Sequence, residues 1–336
     1  MKNGNIYNSN PKDINFSNNI TKDSFTIGIL DNTFIIFESF DQLLYLIYSK
    51  RKSIISYDII NNKKINEIRN AHKEDISNFR HFSDKLNKRI LVISISKNDN
   101  NIKLWCIDNL KLLANITKVN QDGLLYSACF LRDKNQNYII TSNWSFSNPE
   151  TIKIFDLNGK KVKEINSSND KTFYVDNFYD KKLGKNFIIT SSNCYIKSYD
   201  FSKNKIYHKY YDNEKDDHCN IIIFEKNELI HMIESNSNGC IRIWNFHSGE
   251  ILKRINIKIM DYKTFCICLW NYDYLFVSCE DKSVKLVELK NGNIVKNLCE
   301  SSEIILTIKK IIHPYYGECL FSQGRRYEQI KLWKLC

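Results

Sequence analysis

The chain of 336 residues has only 3 Pro, 10 Gly and three Ala (Ala71, Ala114 and Ala128). So little Pro and Gly excludes a collagen-like or Pro-rich low-complexity organisation. So little Ala, the strongest helix former, argues against a helical bundle. No apolar run approaches the ~20 residues that cross a bilayer as a helix. The opening stretch, MKNGNIYNSNPKDINFSNN, is polar and carries no signal-peptide pattern. Cysteine is not scarce, at 11, but a cysteine framework is missing. The number is odd, and Cys106 to Cys336 are scattered mostly through apolar, strand-like runs. The closest pair, Cys266 and Cys268, has no second Cys/His pair at zinc spacing. Buried free thiols in a reducing compartment are the expectation, which places the protein in the cytoplasm, with the nucleus as the alternative. A Gly-rich phosphate loop, His-Glu-x-x-His and Gly-x-Ser-x-Gly are all missing. The sequence therefore predicts no enzyme, no cofactor and no metal site. His208, His231 and His247 read as isolated packing or surface residues.

What the chain has is strand-forming material. Hydrophobic residues make up 43%, enough for a sizeable core, and 19 Tyr and 19 Phe favour sheet over helix. The net charge of +11 invites a nucleic-acid reading. However, the lysines are dispersed with no run of five, Lys far outnumbers Arg, and Asn is about one residue in eight. Codon bias produces such a balance without a polyanionic partner, so neither nucleic acid nor membrane is expected to bind.

One pattern recurs seven times: SIISYDI (53–59), NIKLWCI (101–107), TIKIFDL (151–157), YIKSYDF (195–201), CIRIWNF (240–246), SVKLVEL (283–289) and QIKLWKL (329–335). Apolar residues alternate with a frequent Lys or Arg at the third place, which reads as a strand with one buried and one wet face. The fifth place holds Tyr57, Trp105, Phe155, Tyr199, Trp244, Val287 and Trp333, at intervals of 48, 50, 44, 45, 43 and 46 residues. A period of 40–50 residues marks a repeat architecture. An apolar run precedes each signature, as in ILVISIS (90–96) and YLFVSC (274–279). A turn and a fourth strand follow all but the last, as in LKNGNIVKNL (289–298). Four antiparallel strands, repeated seven times, predict an all-β, seven-bladed β-propeller spanning 23–336, behind an Asn-rich disordered tail over 1–22.

The signature strand ending in Phe155-Asp156, Tyr199-Asp200 and Tyr57-Asp58 resembles the Trp-Asp strand of the WD40-repeat family. It is degraded to Trp105-Cys106, Trp244-Asn245, Val287-Glu288 and Trp333-Lys334, and the family's Gly-His survives as Ala71-His72. The resemblance implies a buried hydrogen-bond network made of His72, Ser94 or Ser96, Asp99 and Trp105. It implies a second one made of His218, Ser235 or Ser237, Asn238 and Trp244. It also implies that the last blade, left with three strands, takes its fourth from the N-terminus, for which SFTIGIL (24–30) is the candidate.

These histidines read as structural. Function is expected on the loops: a non-enzymatic protein-protein interaction scaffold or adaptor subunit, monomeric within a larger assembly, whose partners are other proteins. A nucleic-acid or ribonucleoprotein-associated propeller is the alternative. A phosphoinositide-binding one ranks lower, because GRRY (324–327) only reverses the Phe-Arg-Arg-Gly motif it resembles. The interaction candidates are Trp144 and Phe146, read as two aromatics on a long hairpin tip. They are joined by Lys73, Glu74, Asp217, Glu280, Arg325, Arg326 and Tyr327 on the same end of the ring.

Overall fold

Each signature strand is third in an antiparallel sheet whose strands follow chain order. The computed structural model describes residues 34–40, 43–96, 98–117, 119, 123–145, 150–168, 172–192, 195–212, 218–236, 239–256, 264–300, 304–324 and 331–334. Seven sheets cover 34–68, 78–116, 123–168, 172–210, 218–256, 264–300 and 305–334, numbered here as blades 1 to 7. Blades 1 to 6 have four strands, and three strands of blade 7 are described. The N-terminal strand expected over 24–30 lies outside the described residues.

The first strands of successive blades lie side by side around a central channel of about 670 Å3. Seven apolar clusters fill the seven gaps between blades. The closing one joins Phe34, Leu46 and Tyr48 of blade 1 to Cys319, Phe321 and Leu332 of blade 7. The architecture is therefore a closed seven-bladed β-propeller.

Stacking blades face to face overturns one expectation. The third strand is not half wet, because a neighbouring blade covers each of its faces. Lys197, Arg242 and Lys285, all at the third place, are 5%, 0% and 4% exposed. A buried cation is costly unless paired, and these cations are seated on polar groups nearby. Lys103 Nζ donates to Ala71 O at 2.5 Å, and Lys153 Nζ to Val119 O at 2.6 Å. Arg242 Nε donates to Asp212 at 2.6 Å. In each case the acceptor lies on the link entering the same blade. Burial holds the Lys153 ammonium below its ordinary pKa, with Glu164 opposing.

Two devices shape the outer edge of the blades. The ladder between third and fourth strands slips by one residue immediately before the fifth signature place in blades 1 to 6. Such a bulge increases twist and swings the outer strand around the blade. The sixth place then closes the turn: Asp58, Asp156, Asp200 and Asn245 each accept backbone N–H groups two to four residues on, at 2.9–3.2 Å. Asp58, Asp156 and Asp200 thus cap their hairpins, which explains an acid after the aromatic. Gly292 ends one such turn at φ +75°, where a Cβ would come within 2.9 Å of Ile255.

Candidate interaction faces

The two ends of the ring differ. One carries the hairpins between second and third strands and the links between blades; the other carries the hairpins between first and second strands. At the first end, His72 enters from the link into blade 2. Its Nε2 lies 2.7 Å from Ser94 Oγ, its Nδ1 lies 3.3 Å from Asp99, and Trp105 Nε1 donates to Ser94 Oγ at 2.8 Å. The partners assign the protons: Nδ1–H faces the carboxylate, Nε2 accepts from the hydroxyl, and the hydroxyl accepts from the indole. Asp99 also accepts from the backbone N–H of Lys73 and Asn101, both at 3.1 Å. The His72 ring is buried, and that burial lowers its pKa to about 4 against the pull of Asp99, keeping it neutral. A base sealed from solvent performs no chemistry on a substrate, so this network fastens the link to its blade.

Blade 5 is built differently. Strand register pairs Ser94 with Lys103 in blade 2 but Glu234 with Arg242 in blade 5. Glu234 therefore occupies the place of Ser94, and Ser235 faces the other side of the sheet. Ser235 Oγ and Trp244 Nε1 are both buried without a hydrogen-bond partner among the described residues. Arg242 Nη1 donates to Glu234 at 2.8 Å, and Asp212 bridges Arg242 Nε at 2.6 Å and Arg254 Nη2 at 2.7 Å. The His218 side chain and Asn238 lie outside the described residues. In blade 7, Trp333 Nε1 donates to Ser322 Oγ at 2.8 Å, the geometry of Trp105 and Ser94.

The expected docking residues at this end do not form one cluster. Lys73 and Glu74 are exposed on the link into blade 2, where Glu74 lies 3.8 Å from Lys52. Glu280 opens a turn of blade 6, beside an ion pair between Lys285 and Asp281. Trp144 is not on a hairpin tip. It belongs to the strand Gln136–Ser145, paired in register with Leu124. Residues 143–145 of blade 3 lengthen the ladder with the 11-residue strand Gly123–Asp133. The Trp144 side chain, and Phe146, Asp217, Arg325, Arg326 and Tyr327, lie outside the described residues.

The opposite end carries what sequence reading missed. An apolar side chain stands exposed at this end in six blades: Phe40, Leu86, Leu183, Leu229, Tyr272 and, in blade 7, Tyr315. Leu86 is 67% and Tyr315 74% exposed. In blade 3 the turn carries Lys134 instead, and there a groove of about 570 Å3 opens between blades 2, 3 and 4. Arg80, Arg132 and Lys134 line it with Phe82, Phe130 and Tyr179, and Asp176 is the acid among its walls. Arg80 is held by Asn78 Oδ1 at 2.9 Å and Phe79 O at 3.1 Å, with its guanidinium 5.8 Å from the centre of the Tyr174 ring. Asp176 accepts from the Tyr174 hydroxyl at 2.5 Å. His81, on the channel wall and stacked 4.8 Å from Phe37, has its pKa lowered to about 4 by burial against that wall, then by Lys309 and Arg80.

An apolar residue inside a polar turn, once per period (SDKLNKR, KKLGK, NYDY, HPYYG), is the signal that would have found this rim. His247, expected to be isolated, instead joins blades: it lies 2.9 Å from the buried Asp180 carboxylate and 3.1 Å from the Tyr207 hydroxyl. Among the described residues no group of three His, Cys, Asp or Glu could hold a metal ion. No family model and no curated protein matches the chain.

Proposed function

We propose that this propeller is a non-enzymatic protein-interaction scaffold, an adaptor subunit of a larger assembly, which presents the end carrying the first-to-second-strand hairpins to a partner. The apolar rim at that end carries the reading. A hairpin tip has room for a polar residue at no structural cost, and water penalises an apolar one. Repeating the feature in six blades sets an apolar side chain at six of the seven positions around the channel mouth, the kind of surface that partners cover. The WD40-like signature strand is consistent with such a role but does not choose the partner.

The test is affinity capture from native cells with crosslinking. Wild type is compared with Leu86→Asp/Tyr315→Asp, and with Leu252→Asp on an outer strand as control. The reading expects co-purifying proteins to be lost in the rim variant and kept in the control. Equal recovery from all three would retire it. A second reading, an RNA-associated propeller, has one observation in its favour. Lys50, Arg51, Lys52 and Arg69 surround a concavity of about 480 Å3 at the other end of blade 1, with Glu67 as its acid. Steep loss of RNA binding between low and moderate salt, removed by Arg51→Glu, would favour it.

A further inference from the structure

The apolar rim is interrupted once, at blade 3, and the interruption is basic. From that coincidence, and resting on the scaffold reading above, we infer that the groove between blades 2, 3 and 4 is the recognition site for an acidic peptide segment of the partner. Carboxylates of that segment engage Arg80 and Arg132, and its apolar side chains rest on the neighbouring rim.

The donors are available. Arg80 spends one nitrogen, Nη1, on its two hydrogen bonds, and Arg132 spends Nε on Lys134 O at 3.5 Å. The remaining guanidinium N–H groups, and the Lys134 ammonium, have no partner among the described residues. A guanidinium presents parallel N–H groups that match the two oxygens of a carboxylate. Arg80 is also fixed in place before any ligand arrives, by Asn78, by the Phe79 carbonyl and by the Tyr174 ring, which lowers the ordering cost of binding. Facing them, Asp176 is already satisfied, taking the Tyr174 hydroxyl on one oxygen and the Asn177 backbone N–H on the other at 2.8 Å. The groove therefore carries three cations against one occupied acid. Its volume of about 570 Å3 suits two or three side chains. Leu86 stands on the blade 2 hairpin and Leu183 on the blade 4 hairpin, so apolar contacts flank the basic gap on both sides. A basic centre between apolar shoulders is complementary to acidic residues bracketed by apolar ones. Exposed lysines, Lys85 and Lys88 beside Leu86 and Lys181 and Lys182 beside Leu183, continue the positive charge on both sides. An acidic peptide has apolar side chains to place on the leucines as well, which a nucleic-acid strand lacks.

The test is selection of random-sequence peptides on the immobilised full-length protein, followed by fluorescence anisotropy of the selected peptides. Arg80→Met, Arg132→Glu and, as control at the far end of the ring, Arg51→Glu are measured beside wild type, each checked for an unchanged circular dichroism spectrum. Arg132→Glu lies on the surface, so it decides the matter even if Arg80→Met unfolds. We expect selected peptides rich in Asp and Glu with at least one apolar residue. Binding should weaken about tenfold or more in Arg132→Glu, the range of a lost charged anchor, with Arg51→Glu unchanged. Failure to enrich any peptide, enrichment of neutral or basic peptides, or equal affinity in Arg132→Glu would overturn the inference. So would competitive displacement of the peptides by an oligouridylate RNA at equal strength. The two readings fail separately: partners captured undiminished by Arg132→Glu but lost in Leu86→Asp/Tyr315→Asp leave the scaffold standing without the acidic site.

Discussion

Blades 2 and 5 share a Trp at the fifth signature place and a cation at the third, yet they fasten their entering links by opposite chemistry. Blade 2 uses a neutral chain from Trp105 through Ser94 to His72, ending on Asp99, while Lys103 meets only a carbonyl of the link. Blade 5 replaces the hydroxyl by Glu234 and the link carbonyl by Asp212, and runs Arg242 between them in a site with no exposure. Burial works against the Arg242 charge, but Glu234 first and then Asp212 more than reverse this and raise its pKa. One mechanical task, holding a link against the third strand, is met by hydrogen bonds in one blade and by buried charge in the other. Losing one member of a hydrogen-bonded network strands a buried polar group at about 1–3 kcal/mol, whereas losing one of a buried ion network leaves an uncompensated charge at about 3–5 kcal/mol.

The largest expected effect follows from that asymmetry. Arg242→Met removes the buried cation that Glu234 and Asp212 share, leaving Arg254 on Asp212, and should cost about 3–5 kcal/mol in chemical denaturation. Lys103→Met, the same deletion in blade 2, removes a bond to one carbonyl and should cost about 1–2 kcal/mol. Similar losses for the two would end the distinction between the blades.

Acid should separate the blades again. The folded-state pKa of His72 is about 4, below the ordinary 6.5, so between those values the unfolded chain takes up a proton that the folded chain refuses. Stability is full above pH 6.5 and falls as pH drops toward 4, by up to about 3 kcal/mol from this residue. His81 is lowered as well but is present in both proteins of the comparison. Wild type should therefore lose more stability than His72→Gln between pH 7 and 4.5, measured by urea unfolding. Parallel pH curves would show that burial of His72 costs nothing to protonate.

Much of the architecture was legible because one period repeats: a signature every 43–50 residues gives the blade count, strand order and ring. The blade 2 network was legible to the extent that His72, Ser94, Asp99 and Trp105 fall at family-like places. What sequence could not fix was which of two serines faced the indole, since a shift of one residue turns a strand side chain to the other face. Hence Ser235 or Ser237 was expected where Glu234 stands. The recurring third-place Lys or Arg was visible but was read as a wet face, because a single sheet has one and a blade between two neighbours has none. The groove was illegible for another reason. Arg80, Arg132 and Tyr179 come from three blades, about fifty residues apart, and no spacing within one strand or turn betrays that they meet.

The smallest effect probes what His72 adds to a Trp–Ser pair. Trp105 and Ser94 are sealed beneath His72, whereas Trp333 and Ser322 make the same bond in a blade with no histidine at that place and with the indole only part-buried. Removing the Ser94 hydroxyl deprives two buried groups at once, the indole N–H and the imidazole Nε2, and should cost about 1–3 kcal/mol. Ser322→Ala removes one bond from a ring with some access to water, so about 1 kcal/mol or less is expected. A double-mutant cycle with Trp105→Phe and Trp333→Phe would then give a larger coupling in blade 2 than in blade 7, because His72 leaves Ser94 no freedom to turn elsewhere. If both cycles returned the same coupling, the histidine would contribute nothing to the bond beneath it, and blade 2 would owe its fastening to the link contacts of Asp99 and Lys103 alone.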